Sequence, residues 1–257
     1  MAPPNGVRVS DPDEFRRSPG PRMNELEDAK LRALVEFAAG AGHEINNPVA
    51  TIVGYVQQLL ADETDPDRRH ILATIGGQAY RIRDMIGDLM LFARPPQPRP
   101  EPLELAAVCR EVAGKFTTDA AAIGCGMEIN APADAPIFAD PIQLRVVISA
   151  LLRNSLEAVG SNGRIVVAVP TVEEAGRQWA VLRISDNGRG LSDVDREHLF
   201  DPFYSGRQAG RGLGFGLPKA WRIVTLHGGR IDVESPAEGG AGAAFTIHWP
   251  AAAPHTG

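Results

Sequence analysis

LRALVEFAAGAGHEINNPVATIVGYVQQLL, residues 31–60, decides how the first part of the chain folds. Its apolar residues Leu31, Leu34, Ala38, Ala41, Ile45, Val49, Ile52, Val56 and Leu59 recur in steps of three or four, which marks one stripe along a long helix. Pro48 interrupts the stripe; it removes a backbone donor at a cost of about 3 kcal/mol and is expected to bend the helix there. The following ADETDPDRR supplies turn residues, with Asp65 placed as an N-cap and Pro66 at the first position of a new helix. The stripe resumes at Ile71, Ile75, Gln78, Ile82, Met85, Leu89 and Phe92, so residues 24–93 read as an antiparallel helical hairpin with its two stripes facing each other. One such hairpin has too small a core to stand alone, and two side by side make a four-helix bundle. A homodimer through the hairpin is therefore expected.

Working outward, residues 1–23 mix prolines, glycines and charges without helical or alternating period and read as a mobile tail, and residues 251–257 are left as a tail. RPPQPRPEP, residues 94–102, has five prolines in nine positions, which ends the second helix and makes a stiff linker to a second domain, residues 103–250. There Leu105 to Ala122, Pro141 to Val159 and Gly214 to Leu226 read as helices, and GMEINA, PIFAD, RIDVES and AAFTIHW as strands. RIVVAVP and WAVLRISD read as the two strands of a hairpin. Strands and helices alternate irregularly, so the fold class is α+β: a long helical hairpin, then an α/β sandwich with a mixed or largely antiparallel sheet and helices on one face.

Composition excludes several functions. The chain of 257 residues carries a net charge of −6, and its 26 Lys and Arg include lysine only at Lys30, Lys115 and Lys219, with no basic block to follow a nucleic-acid backbone. Nucleic acid is not an expected partner. No signal-peptide core and no run of about 18 apolar residues is present, so no membrane span and a cytoplasmic location are expected. Cys109 and Cys125 lack the spacing and His neighbours of a zinc site and read as inert thiols.

Chemistry concentrates in a few stretches. In GHEINNPVATIVGY, His43 lies off the apolar stripe, with Glu44 beside it and Asn47 one turn on. An imidazole whose proton is taken or oriented by an adjacent carboxylate can act as a nucleophile. DNGRG, residues 186–190, sets Asp186 at a strand end as an acceptor for a base or sugar, with Gly188 and Gly190 permitting close approach. GRQAGRGLGFGLP, residues 206–218, places Gly206, Gly210, Gly212, Gly214 and Gly216 just before a helix, where backbone amides cradle anions beside Arg207 and Arg211. ALLRNSLEAV, residues 150–159, carries Asn154 and Glu157 among apolar positions, where a hydrated Mg²⁺ between phosphates is a fitting partner.

In this order the segments resemble a two-component sensor histidine kinase. HEINNP matches the phosphoacceptor box, ALLRNSLEAV the Asn box, DNGRG the first glycine box, LFDPFYSGR the Phe box and GRGLGFGLP the second glycine box. The short run between the last two resembles the nitrogen-regulatory type. The resemblance implies a second domain of the gyrase and heat-shock-protein-90 type that binds ATP with Mg²⁺, and a response regulator as partner. It implies that His43 receives the γ-phosphoryl group, Glu44 acts as base, and Asn154 ligates Mg²⁺. Asp186 would hydrogen-bond the adenine amino group; Gly188, Gly190, Gly210, Gly212, Leu213, Gly214 and Gly216 would line the nucleotide pocket, with Arg153, Arg207 and Arg211 near the phosphates. Asn47 matches the position associated with phosphatase activity towards the response regulator. One departure stands out: Ala150 occupies the site of a second Asn usual in the family. The alternative that follows is a phosphotransfer or scaffold protein without catalytic competence.

Overall fold

The computed structural model describes residues 25–131, 135–174, 177–204, 214–237 and 240–250; of residues 25–39, 41, 43 and 171–178 only the backbone is described. Two long helices come first, α1 (Glu25–Asp62) and α2 (Pro66–Ala93), packed as an antiparallel pair. Asp65 caps α2 by accepting the Arg68 N–H at 2.9 Å, and Pro66 opens it where no backbone donor is needed. The Arg69 guanidinium ties the turn to the end of α1 through the carbonyls of Leu60 and Glu63, at 3.0 and 2.7 Å.

The apolar stripes divide into two rows, in keeping with the expectation that one hairpin cannot fully bury them. Val49, Val56 and Ala79 are buried on the helical pair, where a Cβ on Gly76 would come within 3.1 Å of Val56 Cγ1, and Leu89 is buried in a cluster with Phe215 of the second domain. Ile52, Leu59, Ile71, Ile75 and Ile82 instead lie 42–57% exposed. A helical period places residues on a side of the cylinder, but a stripe wider than one contact has a second row that the hairpin partner cannot reach.

The linker does not float free of the second domain. Asp140 Oδ2 accepts the Arg99 N–H at 2.9 Å, and Gln143 Nε2 donates to the Pro96 carbonyl at 2.8 Å. β1 (Glu101–Glu104) pairs antiparallel with β3 (Pro136–Ala139), with Pro102 opposite Phe138 in this two-stranded sheet. The main sheet runs β2 (Gly126–Asn130), β4 (Arg164–Ala168), β6 (Arg177–Asp186), β8 (Ala243–Pro250), β7 (Arg230–Glu234); β2 and β4 are parallel, the other pairs antiparallel.

Two boundaries differ from the expected ones. RIVVAVP and WAVLRISD do pair, but between them lies a further strand, β5 (Thr171–Glu174), which forms the hairpin with the first half of β6. Pro170, which has no N–H for a ladder, separates β4 from β5. The last helix, α6 (Gly216–Leu226), begins after Gly214, whose φ of +71° is outside helical geometry.

The core lies between the sheet and α3 (Leu105–Ala122), α4 (Pro141–Val159) and α6. Register sets Leu182 opposite Ile247 and Ile184 opposite Phe245, all at most 1% exposed, while Arg183, Thr246 and Glu234 on the other face form a polar ladder. α4 is the central helix: Leu144, Val147, Ile148, Leu151 and Leu152 point into the core, and Asp140 caps its start by accepting the N–H groups of Ile142 and Gln143. Burial alone would raise the Asp140 pKa, but those bonds and the Arg99 N–H hold it below the usual range. Cys109 is fully buried, and desolvation pushes its thiol up to about 12, which makes it unreactive. Among the described residues no helix is long and apolar enough to cross a membrane.

Candidate active site

Because α4 buries one face in the core, its opposite face is left to line a cavity of about 550 Å³. Arg145, Ser149, Ala150, Arg153, Asn154 and Glu157 come from this helix. Arg189, Leu191, Asp195, Leu199 and Tyr204 form a second wall, and Gly214 to Lys219 a third. The hairpin closes the cavity with Asp88 and Leu91 of α2.

The second wall is held by α5 (Asp193–Glu197), whose Ser192 and Asp195 cap each other: Asp195 N–H donates to Ser192 Oγ at 3.1 Å and Ser192 N–H to Asp195 Oδ2 at 3.1 Å. Tyr204 Oη donates to Asp195 Oδ1 at 3.0 Å. Burial opposes ionisation of Asp195, but the Ser192 and Tyr204 donors and the nearby Arg189 hold its pKa below the ordinary value. The backbone crosses Tyr204 again at Gly214, where any Cβ would overlap the Tyr204 carbonyl. This contact and the positive φ together require glycine there.

Asp186 lies behind the cavity and does not line it. It is 4% exposed, with Oδ2 accepting from Ser155 Oγ at 3.1 Å and Oδ1 accepting from Gly188 N–H at 3.0 Å and Ala243 N–H at 3.4 Å. Desolvation outweighs these three donors and raises its pKa. Gly188 and Gly190 have partners within the protein: a Cβ on Gly188 would lie 2.5 Å from the Ala158 carbonyl oxygen, and one on Gly190 2.9 Å from Ser235 Oγ. Of the residues singled out in the sequence, Arg153, Asn154, Gly214 and Gly216 thus meet in one cavity, whereas Arg207, Gly210, Arg211, Gly212 and Leu213 lie outside the described residues.

On the hairpin, Glu44 and Asn47 are exposed on α1, and the Asn47 carbonyl accepts from Thr51 Oγ1 at 3.1 Å. Position 43 is helical, and its side chain lies outside what is described. Asn46, one turn further on, is half-buried, and its Oδ1 has no hydrogen-bond partner. It lines a second cavity of about 900 Å³ together with Ala50, Tyr80, Arg81 and Asp84. That cavity shares Asp88, Leu91, Arg153, Glu157, Phe215 and Lys219 with the first, so the two are contiguous.

Residues 33–98 match the His Kinase A phospho-acceptor domain, and residues 139–253 match the histidine kinase-, DNA gyrase B- and HSP90-like ATPases. The chain carries the two domains of a histidine kinase. It is 34% identical over 224 residues to the sensor histidine kinase ZraS of Klebsiella oxytoca, covering 86% of this chain and 47% of that one. The histidine-protein kinase AtoS of Escherichia coli is 32% identical over 232 residues, 89% of this chain and 36% of that one. The chain thus spans less than half the length of these curated relatives. Among solved structures, full-length ShkA in complex with AMPPNP superposes with a TM-score of 0.72 at 22% identity, over 85% of this chain and 47% of that one. The catalytic domain of histidine kinase ThkA does so with a TM-score of 0.52 at 23% identity, over 60% of this chain and 96% of that one. The helical hairpin and α/β domain are therefore the histidine kinase architecture.

Several residues of the cavity escaped motif reading: Asp88, Arg189, Asp195, Tyr204 and Lys219. One local signal existed. Lys219 stands in the first turn of α6, where the helix dipole disfavours a cation, and such a lysine calls for a nearby anion.

Proposed function

We propose that the chain is an ATP-dependent protein histidine kinase that phosphorylates itself on His43 and passes the phosphoryl group to an aspartate of a response regulator. The observation that carries this reading is the continuity of the two cavities, one walled by the Asn-box helix and the second glycine box, the other reaching Asn46, three residues after His43. A ring nitrogen of His43 attacks the γ-phosphorus, the bond to the β,γ-bridging oxygen breaks, ADP leaves, and Glu44 takes the imidazole proton. The N–P bond then breaks as a carboxylate oxygen of the partner takes the phosphoryl group. Catalysis of this kind is mostly positioning and charge neutralisation, which Arg153 and the amides at the start of α6 are placed to give.

Among the described residues no group of three His, Cys, Asp or Glu could hold a metal by itself. Asn154 and Glu157 do offer oxygen donors on one cavity face, and Mg²⁺ is commonly held by one or two protein oxygens plus substrate phosphates and water. The site therefore fits Mg²⁺ arriving with the nucleotide, and when bound the ion supplies neutralisation of phosphate charge. Ala150, 8% exposed, faces this cavity and brings no polar group to it. ATP is the nucleotide of the cytoplasm, which places this core on that side of any membrane.

A second copy of the chain covers the exposed row Ile52, Tyr55, Leu59, Ile71, Ile75 and Ile82 in a four-helix bundle, since a monomer leaves this apolar row in water. Asn47, exposed one turn from position 43, orients a water against the phosphorylated aspartate of a docked partner and so supports dephosphorylation.

Label transfer from γ-labelled ATP tests the reading. Wild type is expected to incorporate label in the presence of Mg²⁺, and Asn154→Ala to lose at least about 100-fold, the scale of one electrostatic contact to the transition state. Full labelling by Asn154→Ala, or none by wild type, contradicts it; the latter would favour the scaffold alternative. Asn47→Ala should retain labelling within a few-fold yet slow dephosphorylation of the partner, and a parallel fall in both reactions would assign Asn47 to the helix rather than to the water.

A further inference from the structure

The two cavities meet at an ion pair between the domains. The Lys219 ammonium of α6 donates to Asp88 Oδ1 of α2, and both residues line both cavities. The lysine side chain is 13% exposed and the aspartate 39%, so the cation is the partner turned inward. Beside the pair, Phe215 is buried against Leu89, Phe92 and Ala93 of α2, with its ring 5.6 Å from that of Phe92. The Arg222 guanidinium lies over the other residue of that contact, 5.7 Å from the Phe92 ring centre. One end of α6 is thus fastened to the hairpin by an apolar contact and by a charge pair.

These fastenings differ in what can displace them. Apolar packing has no ionic competitor, whereas an ammonium in a half-enclosed cavity takes whichever anion offers more charge, and a terminal phosphate offers more than one carboxylate. Asp88, the more exposed partner, is readily solvated once released. Taking the first cavity as the nucleotide site, a phosphoryl group destined for α1 must lie at the end shared with the second cavity, whose lining includes both Lys219 and Arg153.

We propose that Lys219 is a binding residue for the terminal phosphate of the nucleotide, held in reserve by Asp88. While paired with Asp88 it clamps α6 to the hairpin. When the γ-phosphate engages it, Lys219 changes partner, the clamp reduces to the Phe215–Phe92 contact, and the nucleotide domain is released to shift along the hairpin. Nucleotide binding and domain docking are coupled through one side chain.

Because the contact is to the γ-phosphate, it is read by the ratio of ATP to ADP affinity. Calorimetric titration of the full chain with Mg²⁺-ATP and Mg²⁺-ADP is expected to show Lys219→Met weakening ATP roughly tenfold, the worth of one charge-assisted hydrogen bond, and ADP far less. Lys219→Arg should restore most of the ratio. Asp88→Asn, on the more exposed side of the pair, should strengthen ATP several-fold with little change for ADP, and does not depend on the Met variant folding. An unchanged ATP-to-ADP ratio in Lys219→Met, or no gain in Asp88→Asn, overturns the proposal while leaving the nucleotide site intact. Failure of wild type to bind either nucleotide overturns the reading of the cavity and this proposal with it.

Discussion

Asp186 shows how a single residue ties packing to chemistry. It ends β6 beneath α4, with Ser155, Gly188 and Ala243 donating to its two oxygens, and burial still raises its pKa. On the proposed kinase reading Asp186 accepts from the adenine amino group, for which an ionised carboxylate is the stronger acceptor, so nucleotide affinity should fall on acidification at a pH above the ordinary aspartate range. Stability responds with the opposite sign. A carboxyl whose folded pKa is raised contributes stability while protonated, fully present below the unfolded pKa and lost as pH rises through the folded one. Between the two values, the nucleotide-free protein is expected to gain stability on acidification while nucleotide binding weakens. Titrating a fluorescent ATP analogue and following thermal unfolding across that interval measures both, and Asp186→Asn should flatten the pH dependence of each. Parallel pH profiles for wild type and Asp186→Asn would detach this residue from the nucleotide.

Elements were legible from the sequence to the extent that their signals are local. The caps Asp65 and Asp140, each followed by proline, start α2 and α4 at the expected residues because capping involves only the next three amides. β5 was not legible, since an acid-bearing TVEE becomes a strand only by pairing with β6. Nor was the placement of Gly214, read as helical, because its conformation answers to the Tyr204 backbone, ten residues earlier. In the site, the motif residues Arg153, Asn154, Gly214 and Gly216 converged, but the pairing of Lys219 with Asp88 joins positions 131 residues apart, so the lysine's place in the first turn of α6 calls for an anion without saying which. The division of the hairpin stripe into two rows is likewise a packing outcome, and it carries a prediction. Ile75, 44% exposed, belongs to the outward row, so Ile75→Glu buries an unpaired charge only if a second hairpin covers it. A cost of several kcal/mol per protomer should raise the dimer dissociation constant more than about 100-fold. Light scattering of the variant should then give the 27.5 kDa monomer with its helix content kept, whereas an unchanged mass would remove this row from the interface.

At the scale of the whole molecule, the nucleotide cavity is not a property of the second domain alone. Its mouth is completed by Asp88 and Leu91 of the hairpin, and Phe215 of the second glycine box is buried in a cluster whose other members, Leu89, Phe92 and Ala93, belong to α2. The helix that presents position 43 and the helix that closes the cavity are the two arms of one hairpin, so moving the second domain along it changes the distance from the cavity to position 43. The account stands or falls on where the phosphoryl group goes. After incubation with Mg²⁺-ATP, fragment mapping under conditions that preserve phosphoramidates should find one phosphoryl group on the peptide containing His43, acid-labile and absent from His43→Gln with nucleotide binding retained. A phosphoryl group on another residue, or undiminished labelling of His43→Gln, would contradict it.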